Sequence, residues 1–131
     1  MIIPPGFNTV APYFFVADAP AFFGFLVSGL GGEESCRTER PDGSIQNVQV
    51  RLGTSTVMVS EATERYRPMA AAYYLYVADA GASMQRALQH GATLEMAVAD
   101  MPYGDRQGGV RDAHGNLWWI SQRLVDEPYR P

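Results

Sequence analysis

Charge, cysteine and long apolar runs are all scarce in this chain of 131 residues. Charged side chains make up only 18% of it, and the net charge is -4. A nucleic-acid surface needs clustered Lys and Arg, so that class of partner is excluded. The single cysteine, Cys36, rules out an intramolecular disulfide and fits a reducing compartment. Nothing near it in sequence resembles an activating base, so a buried or half-buried structural thiol is expected. The first seventeen residues carry no charge and are broken by Pro4, Pro5 and Pro12, a poor match to a secretory leader. The uncharged run from Ala19 to Gly32 is too short and too rich in glycine to span a bilayer. A soluble, cytoplasmic protein is expected. No Ser-His-Asp order, P-loop, dinucleotide-binding glycine fingerprint or CxxC pair is present.

What the chain does have is an internal repeat. Ala11-Pro12-Tyr13-Phe14-Phe15-Val16-Ala17-Asp18-Ala19 resembles Ala72-Tyr73-Tyr74-Leu75-Tyr76-Val77-Ala78-Asp79-Ala80, and Val57-Met58-Val59-Ser60-Glu61 resembles Trp118-Trp119-Ile120-Ser121-Gln122. Both matches have an offset of 61 residues. Each half opens with an aromatic, β-branched run that reads as a strand. Asp18 and Asp79 then stand where helix N-caps belong, and Pro20 falls in a first turn, where its missing N–H is harmless. The helices are expected over Ala19–Leu30 and Ala80–His90, ending at Gly31-Gly32 and Gly91. Three strands follow each helix: near Glu33–Glu39, Ile45–Leu52 and Thr54–Ser60, then near Thr93–Val98, Arg106–Asp112 and Asn116–Gln122. The chain therefore reads as one domain of two β-α-β-β-β modules, about 8–61 and 71–123. A charged linker joins them over 62–70, and a loosely held tail covers 124–131.

Two tandem modules of this kind resemble the glyoxalase/bleomycin-resistance/extradiol dioxygenase superfamily, the vicinal oxygen chelate proteins. The resemblance is sharpest in Tyr74-Leu75-Tyr76-Val77-Ala78-Asp79, in Ala87-Leu88-Gln89-His90-Gly91-Ala92, and in the run from Tyr103 to Asp112 that leads into His114-Gly115-Asn116-Leu117-Trp118-Trp119-Ile120. It implies an α+β fold in which the two modules form a curved mixed sheet around a cavity, with helices on the outer face. In metal-dependent members each module gives two ligands. One lies seven residues before the capping Asp, the other four residues after the glycine of the last hairpin. Carried onto this chain, these positions hold Ala11, Ala72 and Trp119, and by the repeat Met58. Ala and Trp offer no donor, and a thioether is too soft for ions that prefer nitrogen and oxygen. No metal and no other cofactor is expected.

Strand alternation assigns the remaining side chains to faces. If the vacated positions face the cavity, so do Tyr13, Phe15, Thr56, Ser60, Tyr74, Tyr76, Leu117 and Ser121. The opposite set is Phe14, Val16, Val57, Val59, Tyr73, Leu75, Val77, Trp118 and Ile120, as apolar as a helix-packed face must be. The cavity set mixes rings with hydroxyls. Such rings can line a pocket or merely fill a groove, and the phenols favour a pocket, because a buried phenol needs a partner. The candidate ligand-binding residues are Tyr13, Phe15, Met58, Tyr74, Tyr76, Tyr103, Arg106 and Trp119, with Arg106 as an anchor for an anionic group at the cavity mouth. No residue is assigned a catalytic role. His90, His114, Asp105 and Asp112 read as structural.

The function expected from the resemblance is metal-free binding of an aromatic or planar small molecule, as in bleomycin-resistance proteins. The alternatives are a glyoxalase-like lyase or other enzyme with non-standard catalytic residues, and a purely structural module. The resemblance also implies a homodimer. On the first helix the repeat aligns Phe23, Leu26 and Val27 with Met84, Ala87 and Leu88 as the core stripe. Phe22 and Phe25 are left exposed as a contact surface between chains.

Overall fold

The computed structural model describes residues 2–131 and shows two β-α-β-β-β modules in tandem, an α+β fold. The chain divides into two compact units between Met69 and Ala70. In the first, β1 (Tyr13–Val16) leads to α1 (Ala19–Gly24), a π-helical turn (Phe25–Gly29), β2 (Glu33–Glu39), β3 (Ile45–Leu52) and β4 (Ser55–Glu61). In the second, β5 (Ala72–Tyr76) leads to α2 (Ala80–Gln89), β6 (Thr93–Asp100), β7 (Asp105–Arg111) and β8 (Leu117–Arg123). Each module forms its own four-stranded sheet, ordered β1-β4-β3-β2 and β5-β8-β7-β6. The first strand of each runs parallel to the last, and the other pairings are antiparallel.

Both helices start as their sequences dictate. The Asp18 carboxylate accepts from Ala21 N and the Asp79 carboxylate from Ala82 N, satisfying amides that have no partner within the helix. The last strand of each module supplies a second hold, again at the repeat offset. Glu61 accepts from Asp18 N and Ala19 N at 2.9 and 2.8 Å, and Gln122 accepts from Ala80 N at 3.1 Å. In the first module this clamp draws Asp18 into left-handed backbone (φ 60°), a conformation that Asp tolerates better than most residues.

The two faces of each sheet differ as alternation requires. Phe14, Val16, Val57 and Val59 are buried on the helix side of module one, and Trp118 and Ile120 on that of module two. Trp118 stacks on Tyr73 and donates its indole N–H to Asp112 at 2.8 Å. Asp112 also accepts from the backbone of His114 and Asn116, so it ties the β7–β8 hairpin to the core. Asp112 is structural, as its place in the turn implies.

Three sequence expectations are corrected. Phe22 and Phe25 are not exposed: they are 0% and 8% accessible, whereas Phe23 and Val27 are only half-buried. The cause is local. Leu30 N bonds Phe25 O, five residues back, so the second half of the helix is underwound and does not follow the phase of α2. Ala19, Phe22, Phe25 and Leu26 make the buried stripe instead, and the proposed Phe contact surface does not exist. Cys36 is exposed, because β2 is an edge strand whose residues all lie open. The tail is not loose either: it is hydrogen-bonded back onto module two.

Candidate functional site

The face of module two away from α2 is built from three adjoining strands. By register, Tyr74 lies beside Trp119 and Trp119 opposite Gly109; Tyr76 lies beside Ser121 and Ser121 opposite Gln107; Arg123 lies opposite Asp105. Alternate residues on each strand thus bring these side chains to one surface. Two consecutive glycines on β7 serve the two faces separately. A Cβ on Gly108 would come within 2.7 Å of the Met84 side chain of α2. One on Gly109 would come within 2.7 Å of the Trp119 ring. The Trp119 ring therefore packs closely on the β7 backbone at Gly109 and is half-buried.

On the same face, four residues before Gly109 on β7, sits a carboxylate that sequence reasoning set aside. Asp105 is 0% accessible. It is screened by a thin layer of side chains rather than by depth. It accepts from Tyr74 OH at 2.5 Å, Tyr129 OH at 2.6 Å and Arg123 Nη1 at 2.9 Å. A phenol has one proton to give. Tyr129 gives its proton to Asp105, so the 2.7 Å contact between Tyr76 and Tyr129 must be donated by Tyr76. The chain of donation therefore runs Tyr76 to Tyr129 to Asp105, with Tyr74 and Arg123 converging on the same carboxylate. Tyr103 donates to Gln107 Oε1. At 3.5 Å, Gln107 is too far to compete with Asp105 for the Tyr74 proton.

These contacts fix the protonation states. Burial pushes the Asp105 carboxyl up, but the hydrogen bonds from Tyr129, Tyr74 and Arg123 outweigh it and hold the group below the usual carboxylate range. Burial and the Asp105 carboxylate push the Tyr74 phenol up to about 12. The Tyr129 phenol is raised further by burial and the same carboxylate. Ser121 Oγ, fully buried, has no well-aligned hydrogen bond among the described residues, yet it lies near enough to the Tyr74 phenol to oppose that rise slightly. None of these shifts brings a proton to neutral pH, where a general acid or base must work. The cluster is suited to recognition by fixed donors and acceptors.

Module one carries a simpler version. Tyr13 stacks on Phe15 with ring centroids 4.8 Å apart, and Phe15 stacks on Tyr66 at 5.5 Å. Ser60 gives its proton to Gln46 O at 2.5 Å, so Tyr13 OH donates to Ser60 at 2.7 Å, and Asn47 donates to Tyr13 OH at 3.3 Å. Met58 lies beside Tyr13 in the register. Matching Val48–Val59 with Gly108–Ile120 sets Ile45 at the place of Asp105, so no carboxylate stands at that position.

Of the eight candidates read from sequence, Tyr74, Tyr76, Tyr103 and Trp119 share the module-two cluster, and Tyr13, Phe15 and Met58 share the module-one face. Arg106 joins neither. It stands at the other parity on β7 and pairs with Asp100 at 2.7 Å. Sequence reasoning missed Asp105, Gln107, Arg123 and Tyr129. The first three were within reach of parity, two and four residues before Gly109 and two after Ser121, had β7 and β8 been extended by one residue each. Nothing in the sequence periodicity places Tyr129. At the four positions that the sequence resemblance marks as ligands in metal-dependent members stand Ala11, Met58, Ala72 and Trp119, and among the described residues no group of three or more His, Cys, Asp or Glu side chains gathers.

This geometry agrees with the comparisons to known proteins. The model of the Glyoxalase/Bleomycin resistance protein/Dioxygenase superfamily matches residues 6–120. A relative in Mycobacterium bovis, the uncharacterized protein Mb0911c, is 31% identical over 124 residues, which cover 86% of this chain and 82% of that protein. The chain belongs to this superfamily. Among solved structures it is similar to TioX from Micromonospora sp. ML1, with TM-score 0.73 and 24% identity over 92% of this chain and all of that one. It is also similar to TnmS3, an antibiotic binding protein from Streptomyces sp. CB03234, with TM-score 0.72 and 19% identity over 94% of this chain and 98% of that one. At these identities the likeness establishes the fold.

Proposed function

We propose that the protein binds a planar aromatic small molecule, without a metal, in the manner of the bleomycin-resistance branch of its superfamily. The observation that carries this is the Trp119 ring packed on Gly109, on the same sheet face as a fully satisfied Tyr74–Asp105–Arg123 cluster. A half-buried indole on an open sheet face can serve as a stacking surface, and fixed polar groups on the same face can set orientation. The Tyr13–Phe15 stack with Met58 is assigned the same role on module one. Side chains that donate nothing to a divalent ion at the four ligand positions support metal independence. TnmS3, similar in fold, is an antibiotic binding protein, and a compound of that general kind fits an aromatic surface.

The protein is further proposed to act as a homodimer in the cytoplasm. Edge strand β6 leaves Leu94 and Val98 exposed, apolar surface that a second copy would cover. The exposed, unpaired Cys36 suits a reducing compartment. Among the described residues no helix is long and apolar enough to cross a membrane. Sedimentation at micromolar concentration is expected to give a dimer, and a monomer would refute that part. Binding itself is tested by titrating two- and three-ring aromatic compounds while following tryptophan fluorescence, before and after treatment with EDTA. Saturable quenching that survives chelation is expected; quenching abolished by chelation would refute metal independence.

A further inference from the structure

The segment after β8 turns back over the module-two face. Leu124 N donates to Gly104 O at 2.9 Å, and Arg123 Nη2 donates to Glu127 O at 2.6 Å. These bonds deliver Tyr129 to the end of the cluster. Tyr129 remains 48% exposed, so burial alone is not what holds it. What holds it is its hydroxyl, which donates to Asp105 and accepts from Tyr76, and the Arg123 guanidinium 4.2 Å from its ring centroid. Those three contacts recognise a phenol and little else. A carboxylate would be repelled by Asp105, and a bare ring could not satisfy it.

We propose that Asp105, Tyr76 and Arg123 form a subsite for a phenolic ring of the ligand, and that Tyr129 occupies it as a tethered substitute which the ligand displaces. The inference rests on the aromatic-binding function proposed above. Without Tyr129 the carboxylate still holds Tyr74 and Arg123, so the subsite stays organised for an incoming hydroxyl. The exchange replaces one phenol–carboxylate bond by another. It selects for ligands that carry a phenol, because any other ligand leaves a bond unmade. A tethered competitor also lowers apparent affinity by the fraction of time it occupies the site.

The test uses 4-methylphenol and its methyl ether, 4-methylanisole, titrated into the full chain and into Tyr129→Ala while NMR follows the Trp119 indole and the amides of residues 126, 127, 129 and 130. The phenol is expected to bind Tyr129→Ala about tenfold or more tightly than the unaltered chain, the size expected when a tethered competitor is removed. It is also expected to release the tail amides in the unaltered chain, and the ether to show neither effect. Equal phenol affinity in the two proteins, or an equal gain for the ether, would overturn the proposal. Naphthalene, which has no hydroxyl, separates this from the broader function. If naphthalene perturbs Trp119 while Tyr129→Ala gains nothing for the phenol, the subsite alone fails. If naphthalene does not bind but the phenol gain appears, the subsite stands and the planar platform fails.

Discussion

Adjacent residues in this fold do opposite work, and Trp118 and Trp119 show it. Trp118, 2% accessible, stacks on Tyr73 and is hydrogen-bonded to Asp112 in the helix-packed core. Trp119 lies half-buried on the other face. Trp118→Ala is expected to cost about 3–5 kcal/mol of stability, as large-to-small core changes do, and Trp119→Ala clearly less. Thermal melts of the two variants decide it, and the reverse order would mean the faces are misassigned. The paired glycines give a second contrast. Gly109→Ala must push a rigid ring aside, whereas Gly108→Ala meets the flexible end of Met84. The first is expected to shift Trp119 fluorescence and weaken aromatic binding; the second is expected to leave both nearly unchanged. The phenols and Asp105 make pH predictions of opposite sign. Asp105 has a depressed pKa in the fold, so its stabilisation is present above the unfolded carboxylate pKa and is lost as pH falls through the folded value. Asp105→Asn should flatten that acid limb in pH-dependent unfolding. Tyr74 has a raised pKa, so its contribution is intact below the ordinary phenol value of 10.0 and is lost as pH rises towards about 12. Tyrosinate absorbance should show Tyr74, together with Tyr129, resisting ionisation across that window, and one fewer such phenol in Tyr74→Phe.

At the scale of elements, the strands were legible because their side chains alternate and their faces differ in chemistry. All eight lie where the aromatic and β-branched runs predict, within two residues at their ends, and both capping aspartates cap. The first helix was legible in place but not in phase. Its composition, mainly Ala, Phe, Gly, Leu and Val, is apolar nearly all round, so no stripe stands out, and the π-turn over Phe25–Gly29 shifts the phase of its second half. Phe22→Ala is therefore expected to destabilise by about 3–5 kcal/mol, the range for a buried Phe, and Phe23→Ala by much less. Denaturant unfolding of the pair measures this, and equal losses would argue that the helix turns otherwise. Part of the site was hidden for a different reason. A tail such as 124–131 has no period to read, and its attachment depends on single polar contacts between residues far apart in sequence, Tyr129 with Asp105 and Tyr76.

At the scale of the whole molecule, a duplicated module has been kept for its frame and varied on one face. Both copies retain the capping Asp, the strand-end Glu61 or Gln122 that grips the helix, and a Tyr–Ser pair on the open face. Only the second has the carboxylate, its Arg123 partner and the Trp119 platform, so recognition is assigned chiefly to module two. Stacking and hydrogen bonding are the interactions proposed for this face. The most direct test is a fluorescence or calorimetric titration of one planar aromatic compound, selected from the two- and three-ring panel, into the unaltered protein and Trp119→Ala. The expected result is saturable binding to the unaltered chain, weakened in the variant by about 1–3 kcal/mol, the scale of a single anchoring side chain. Equal affinity for both proteins, or the absence of binding by any member of the panel, would contradict the assignment of this face as the ligand site.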